Sequence, residues 1–264
     1  MAKRKQLRSS IAWSTADQIG VYGYDLCQDL IGKVTLGNMA FLEITGRLPQ
    51  PNESKMFEAI AVTLVEHGIN PSSLAARLTY DGAPEALQAA VAAGLLGLGN
   101  VVVGSTETAA KMLWSALQDQ PETAPLEPIA QRIVQHYMDS KTIIPGIGHP
   151  KHKPLDPRAV RLMALAREYG YAGRYVQLME MITLVGEKAY NRPLPMNATG
   201  AIGCICCELG FPMSVVRGVG VMARAVGLVG HILEESRSPL GFEIYQRTED
   251  EAATDIVGKL RSDR

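Results

Sequence analysis

The chain has 264 residues, 47% of them apolar and 20% charged, with 26 basic and 27 acidic side chains and a formal net charge of -1. That length can bury a sizeable core in one large domain or two modest ones, and the charge balance gives no reason to expect a nucleic-acid surface. Aromatics at 6%, beside long alanine, leucine and glycine runs of helical spacing, argue for an all-α protein.

The opening MAKRKQLR leads into a mixed polar stretch rather than an apolar one, so it reads as a solvated basic tail and not as a secretory signal. Residues 9–49 read as a lead-in, a short helix and a turn. Asn52 is placed as the cap of a helix in which Met56, Ala59, Ile60, Thr63, Leu64 and His67 recur three and four apart before Gly68. His67 then sits at the end of a buried stripe, where a satisfied core histidine and a switchable imidazole both fit. The run LQAAVAAGLLGLG has no polar face and predicts a central helix packed backbone to backbone. Two helices are expected between Thr106 and Ser140 around the link ETAPLEP, with Ile129, Ile133, Val134 and Tyr137 on the buried stripe of the second and His136 exposed beside it.

Residues 143–159, IIPGIGHPKHKPLDPRA, gather two histidines, two lysines and an arginine around a glycine-rich turn. Pro145, Gly146 and Gly148 predict a tight loop whose amides can approach a ligand. Asp156 and Pro157 read as the cap and first position of a helix carrying Leu162, Met163, Leu165, Ala166 and Tyr169 and ending at Gly170. Arg158 falls in its first turn, where its charge opposes the helix dipole unless an anion is bound. That makes a carboxylate or phosphate site, with a surface loop of solvated cations as the plain alternative.

A further helix carries Tyr175, Leu178, Ile182, Val185 and Ala189 and stops at Asn191-Arg192-Pro193. Cys204, Cys206 and Cys207 lie in an apolar helix and, with Cys27, make no metal pattern; they read as buried small side chains in a reducing compartment. The apolar stretch 211–235 is interrupted by Arg217, Arg224 and His231, seven apart on one helix face. Charges near its centre argue against a membrane span and for a buried helix with one polar seam facing a cleft.

GIGHPKHKPLDPRA resembles the GxGHxxxKxxDPRA signature of the citrate synthase superfamily. Tyr24-Asp25-Leu26 with Asp29-Leu30-Ile31-Gly32, and Phe41-Leu42-Glu43 with Gly46-Arg47-Leu48-Pro49, resemble the openings of its short citryl-CoA lyase branch, which includes the C-terminal module of ATP-citrate lyase. Glu66-His67-Gly68, followed by PSSLAAR, is similar to that branch's DHGxxPSxxAAR, and MARAVGLVGHILEE to the superfamily's closing xSRxxGxxGHxxEQ. The resemblance implies that His149 contacts the hydroxyl or carbonyl oxygen of an acid, and that Arg158 and Arg224 clamp its carboxylates. It implies that Lys153, with Pro145, Gly146, Ile147 and Gly148, holds the phosphates of coenzyme A. His67 would enter the active site as proton donor or acceptor, and His231 would be largely structural. Arg217 has no match and reads as a packing or dimer salt bridge.

Two positions depart from the pattern. Val102 stands where citrate synthases carry a catalytic histidine, which lyase-branch relatives also lack, so His67 is the expected substitute. Thr199, in LPMNATG, stands where the family's PNVDG has the aspartate that enolises acetyl-CoA. A threonine hydroxyl is too weak a base for that step, but it can orient a water or bond an enolate oxygen.

The resemblance covers residues 24–235 and implies an all-α citrate synthase-like fold, with a large helical domain of residues 1–104 and 211–264 and a small one of residues 105–210. It further implies a cytoplasmic homodimer or oligomer of dimers with no metal, redox cofactor, nucleic-acid or membrane partner. The expected reaction is retro-aldol cleavage of a 3-hydroxy-acyl-CoA such as citryl-CoA to acetyl-CoA and a 2-oxo acid such as oxaloacetate. An acyltransferase or hydrolase on another acyl-CoA, or a non-catalytic acyl-CoA-binding relative, is the alternative.

Overall fold

Two positive φ values, at Tyr22 (47°) and Gly23 (87°), fold the lead-in into a tight hairpin. In the computed structural model, which describes residues 7–101, 103–149 and 152–262 (side chains to 254), strands β1 (Ala12–Ser14), β2 (Ile19–Val21) and β3 (Tyr24–Asp25) form an antiparallel sheet in that order. Most of the expected basic tail and the Val102 position lie outside the described residues. Trp13 lies opposite Gly20, where a Cβ would meet its indole at 2.4 Å. Asp25 then caps a π-helical turn, Leu26–Leu30, accepting from the amides of Cys27 and Gln28. The lead-in is therefore a small sheet and a π-helical turn, and the expected short helix follows it at Leu36–Thr45, ending in a turn at Gly46, in a protein whose other described elements are all helices.

One compact unit comprises residues 1–61 and 106–216. It holds α1 (Leu36–Thr45), most of α2 (Pro51–Val65) and α5 (Gly104–Leu117), and all of α6 (Leu126–Asp139), α7 (Pro157–Tyr169), α8 (Arg174–Tyr190) and α9 (Ala198–Glu208). Phe41, Phe57 and Phe211 meet edge to face with centroids 5.6 to 5.8 Å apart, a geometry that adds to their burial. The expected Asn52 cap is corrected: α2 starts at Pro51, the Glu53 carboxylate takes the Gln50 amide at 2.7 Å, and Asn52 donates instead to the Tyr169 carbonyl.

The helix buried almost all round is α9, not the alanine-rich run. Its small residues admit neighbouring backbone: a Cβ on Gly203 would come within 3.0 Å of the Ala110 nitrogen. Cys204, Cys206 and Cys207 are buried there, and burial pushes their thiols well up, so they pack and do not react. Cys27, expected to be buried with them, is exposed.

A second unit comprises residues 62–105 and 217–264, with α3 (Pro71–Gly82), α4 (Leu87–Leu96), nearly all of α10 (Val216–Arg237) and α11 (Gly241–Ser262). Asn70 and Ser73 form a reciprocal capping box at the start of α3. Ala76, Ala90, Leu228 and Ile232 form the core. The α4 run is buried on one face only, through Ala90 and Gly94, while Leu87 and Leu96 are 46% and 88% exposed. Small residues bring that one face close: Ser72 donates to the Gly94 carbonyl at 2.6 Å, and a Cβ on Gly94 would strike Leu228. The α10 helix is long and apolar enough to cross a bilayer, but half of its apolar window is buried in the protein.

Candidate active site

In the first unit, α7 begins and ends where the sequence predicts, on an Asp156 cap and a left-handed Gly170. The glycine-rich part of the loop before it is tucked in, because Ile144 and Ile147 are buried and Ile147 pairs with Met196 in an isolated bridge, whereas Lys153 and Leu155 nearer the helix are exposed. Gly146, at φ 88°, lies so close to α9 that a Cβ would stand 2.6 Å from Gly200 Cα. Asn197 is the clasp. Its Nδ2 donates to the Gly148 carbonyl at 2.7 Å and its backbone amide to the Gly146 carbonyl at 3.0 Å. Its Oδ1 accepts from the amides of Thr199 and Gly200 and, at 2.7 Å, from the Thr199 hydroxyl. Thr199 therefore has its proton committed and only lone pairs to offer beyond that bond.

Asp156 joins the starts of α7 and α9. Fully buried, it accepts from the Arg158 amide at 3.0 Å, from Arg158 Nε at 3.1 Å and Nη2 at 2.9 Å, and from the Ala198 amide at 3.1 Å. Burial pushes its carboxyl up, but the Arg158 guanidinium and the two amides outweigh this and hold it below the usual carboxylate range. The anion expected beside Arg158 is thus partly supplied by the chain itself. His149 Nδ1 accepts the His152 amide at 2.9 Å, and its Nε2 lies 3.5 Å from Arg158 Nη2. This unit brings His149 and Arg158 together and links both to Thr199 through Asp156 and Asn197. Ile147 also lines a cavity of about 360 Å³ with Met138, Ile143, Leu194, Tyr190, Lys141 and Arg192, whereas Lys153 is exposed and does not line it.

In the second unit, α2 ends at Val65, so His67 follows the helix on an exposed turn closed by Gly68 at φ 65° instead of ending its buried stripe. Glu66 Oε1 accepts the amides of His67 at 2.7 Å and Gly68 at 2.6 Å, and His231 Nε2 lies 3.0 Å away. On α10, Arg224, Gly227 and His231 share a face. Gly227 lets that face approach, since a Cβ there would stand 2.0 Å from the Val65 carbonyl oxygen. Arg224 is 4% exposed, and its Nε and Nη1 have no hydrogen-bond partner among the described residues; Glu66 Oε1 lies 3.7 Å from Nη1. Burial pulls its pKa down against the pull of Glu66. Such a guanidinium has donors open that could receive an anion.

Beneath this lies Arg77, fully buried, bonded to Glu235 at 2.5 Å and to Glu234, and donating to His231 Nδ1. Arg217, the third member of the seven-residue series, donates to Asn100 Oδ1 at 2.6 Å. Sequence reasoning missed Asn197, Glu66 and the bridging role of Asp156. Only Asn197 had a signal, an Asx residue immediately before a small-residue helix.

A family model described as "Citrate synthase, C-terminal domain" matches residues 27–242. The chain is 31% identical to citryl-CoA lyase from Hydrogenobacter thermophilus, over 90% of both chains, with a TM-score of 0.81. It superposes with a TM-score of 0.69 on ATP citrate lyase of Methanosaeta concilii in complex with (3S)-citryl-CoA, at 23% identity over 90% of this chain and 40% of that one. A probable ATP-citrate synthase of Dictyostelium discoideum is 23% identical over 92% of this chain. The chain spans 40% of that relative's length and 57% of a putative citrate synthase 2 of Mycobacterium tuberculosis. The match to the family model, together with the helical architecture, makes this chain a member of the citrate synthase family.

Proposed function

We propose that the protein is a carbon–carbon lyase that cleaves citryl-CoA, or a similar 3-hydroxy-acyl-CoA, to acetyl-CoA and a 2-oxo acid such as oxaloacetate. The observation that carries this reading is the likeness to a citryl-CoA lyase over nine-tenths of both chains. His67 takes the hydroxyl proton, the carbon–carbon bond breaks, and its electrons pass to the thioester enolate as the 2-oxo acid's carbonyl forms. His149 Nε2–H donates to that carbonyl oxygen, in keeping with a ring whose Nδ1 already accepts an amide. Arg224 and Arg158 neutralise carboxylates, Arg224 through the nitrogens left unbonded in the buried guanidinium.

In the cleavage direction the carbon only has to gain a proton, and a thioester enolate takes one readily from water. Thr199, whose hydroxyl oxygen keeps acceptor capacity, can hold such a water where a carboxylate base is missing. Coenzyme A lies along Pro145, Gly146, Ile147 and Gly148 with Lys153 at its phosphates. Support for this comes from the neighbouring cavity, where apolar walls and Tyr190 suit a base and Lys141 and Arg192 suit phosphate oxygens. A large domain of residues 1–104 with 211–264, a small domain of residues 105–210, a homodimer and a cytoplasmic setting belong to the same proposal.

Incubation of the purified protein with citryl-CoA should release oxaloacetate, read by a coupled reduction to malate. No release at high enzyme concentration removes citryl-CoA as the substrate. Thr199 favours one second reading, an acyl-CoA-binding relative without catalysis. Activity that arises from nothing in Thr199→Asp supports that reading, whereas a native lyase is damaged or little changed.

A further inference from the structure

We propose that Glu66 is the positioning residue for His67, a single carboxylate oxygen that fixes the 66–68 turn, receives the Nε2 hydrogen of His231 and stands as counter-ion to Arg224. The proposal rests on the reading above in assigning His67 the proton chemistry; the geometry of the turn does not depend on it. The Glu66 side chain is half-exposed, and a surface carboxylate without partners samples many rotamers. Here Oε1 instead receives the amides of His67 and Gly68 at 2.7 and 2.6 Å and lies 3.0 Å from His231 Nε2.

The sense of that last bond is fixed from below. A guanidinium only donates, so Arg77, with Nη2 2.8 Å and Nε 3.3 Å from His231 Nδ1, makes Nδ1 the acceptor and leaves the hydrogen on Nε2, aimed at Glu66. Arg77 is itself locked by Glu235, whose other oxygen takes the amides of Leu240 and Gly241 at 2.6 Å. The buried pair Glu235 and Arg77 thus orients His231, which orients Glu66, which orients the backbone of His67. Gly227 permits the arrangement, because any Cβ there would strike the Val65 carbonyl just before Glu66.

The same oxygen lies 3.7 Å from Arg224 Nη1, beyond hydrogen-bond reach, so it moderates that charge without using its donors. A ligand carboxylate bound at Arg224 therefore sits beside a like charge. Removing the Glu66 charge should tighten anion binding, and removing its oxygen should release His67. Glutamine and alanine separate the two effects, since a glutamine Oε1 still accepts all three hydrogens.

The full-length 15N-labelled protein and its Glu66→Gln and Glu66→Ala variants test this. In Glu66→Ala the His67 and Gly68 amides should exchange with solvent at least tenfold faster, and the His231 ring signals should shift and its Nε2 hydrogen exchange faster as the bond to the carboxylate is lost, with the tautomer still fixed by Arg77. With citryl-CoA as substrate, kcat should fall on the order of 10²-fold in Glu66→Ala and recover at least tenfold of that loss in Glu66→Gln. KM should fall about threefold in both variants. A residue that merely supports the fold would lower the melting temperature without moving the ring signals or separating kcat from KM. An alanine variant whose amides and ring signals match the parent overturns the proposal, as does one that keeps kcat within threefold. If the parent protein does not cleave citryl-CoA, the functional reading fails, and the amide and ring measurements alone decide the role of Glu66.

Discussion

The two arginines assigned to carboxylates meet opposite circumstances. Arg158, at the start of α7, is held by a buried aspartate through two nitrogens, and its side chain keeps 28% of its surface exposed. Arg224, inside α10, is nearly sealed and has two nitrogens that make no hydrogen bond among the described residues, with Glu66 3.7 Å from one of them. The first is a finished structural contact that a ligand can extend. The second has a counter-ion in Glu66 but hydrogen-bond donors left unmet, at a cost to stability, and such donors are where a bound acid gains most.

That contrast breaks most sharply under leucine substitution. Arg224→Leu should lower kcat/KM on the order of 10² to 10³-fold by removing two charge-assisted hydrogen bonds made only with ligand, while its melting temperature stays level or rises. Arg158→Leu should instead destabilise by about 2 kcal/mol, because it leaves Asp156 buried without its cation. Calorimetric scans beside steady-state kinetics check both, and equal loss of stability in the two variants would erase the distinction.

A second, smaller effect sharpens it through pH. The folded carboxyl of Asp156 is held below its unfolded value, so it adds stability that is fully present above about pH 4. This contribution is lost as pH falls through the folded value. Asp156→Asn should therefore flatten the acid limb of stability against pH, followed by denaturant melts from pH 7 down to 3. Arg224→Leu should leave the Asp156 share of that limb unchanged. The smallest change is expected from Thr199→Val, which removes one hydrogen bond to Asn197 and should cost about 1 kcal/mol in the same melts.

What could be read from the sequence was what neighbours in the chain decide. Asp156, Pro157 and Gly170 fix both ends of α7 through caps within a few residues, and Asn191 stops α8 in the same way. The hairpin at residues 12–25 was hidden because one of its two turn positions is a tyrosine at positive φ. The exposure of α4 was hidden because an alanine run does not say how many partners it has. Arg77 and Glu235, 158 residues apart, form a bond that spacing cannot announce. Within the candidate site the ligand-facing residue types stood out, whereas Glu66 and Asn197, which hold their neighbours in place, carried almost no mark of it.

The four thiols divide by surroundings into three sealed inside α9 and one, Cys27, open to solvent. A maleimide dye added to the native protein at neutral pH should therefore attach once, at a defined point on the amino-terminal turn. The wild-type chain comes supplied with a single-site optical handle, and labelling at the other three becomes a stopwatch for unfolding.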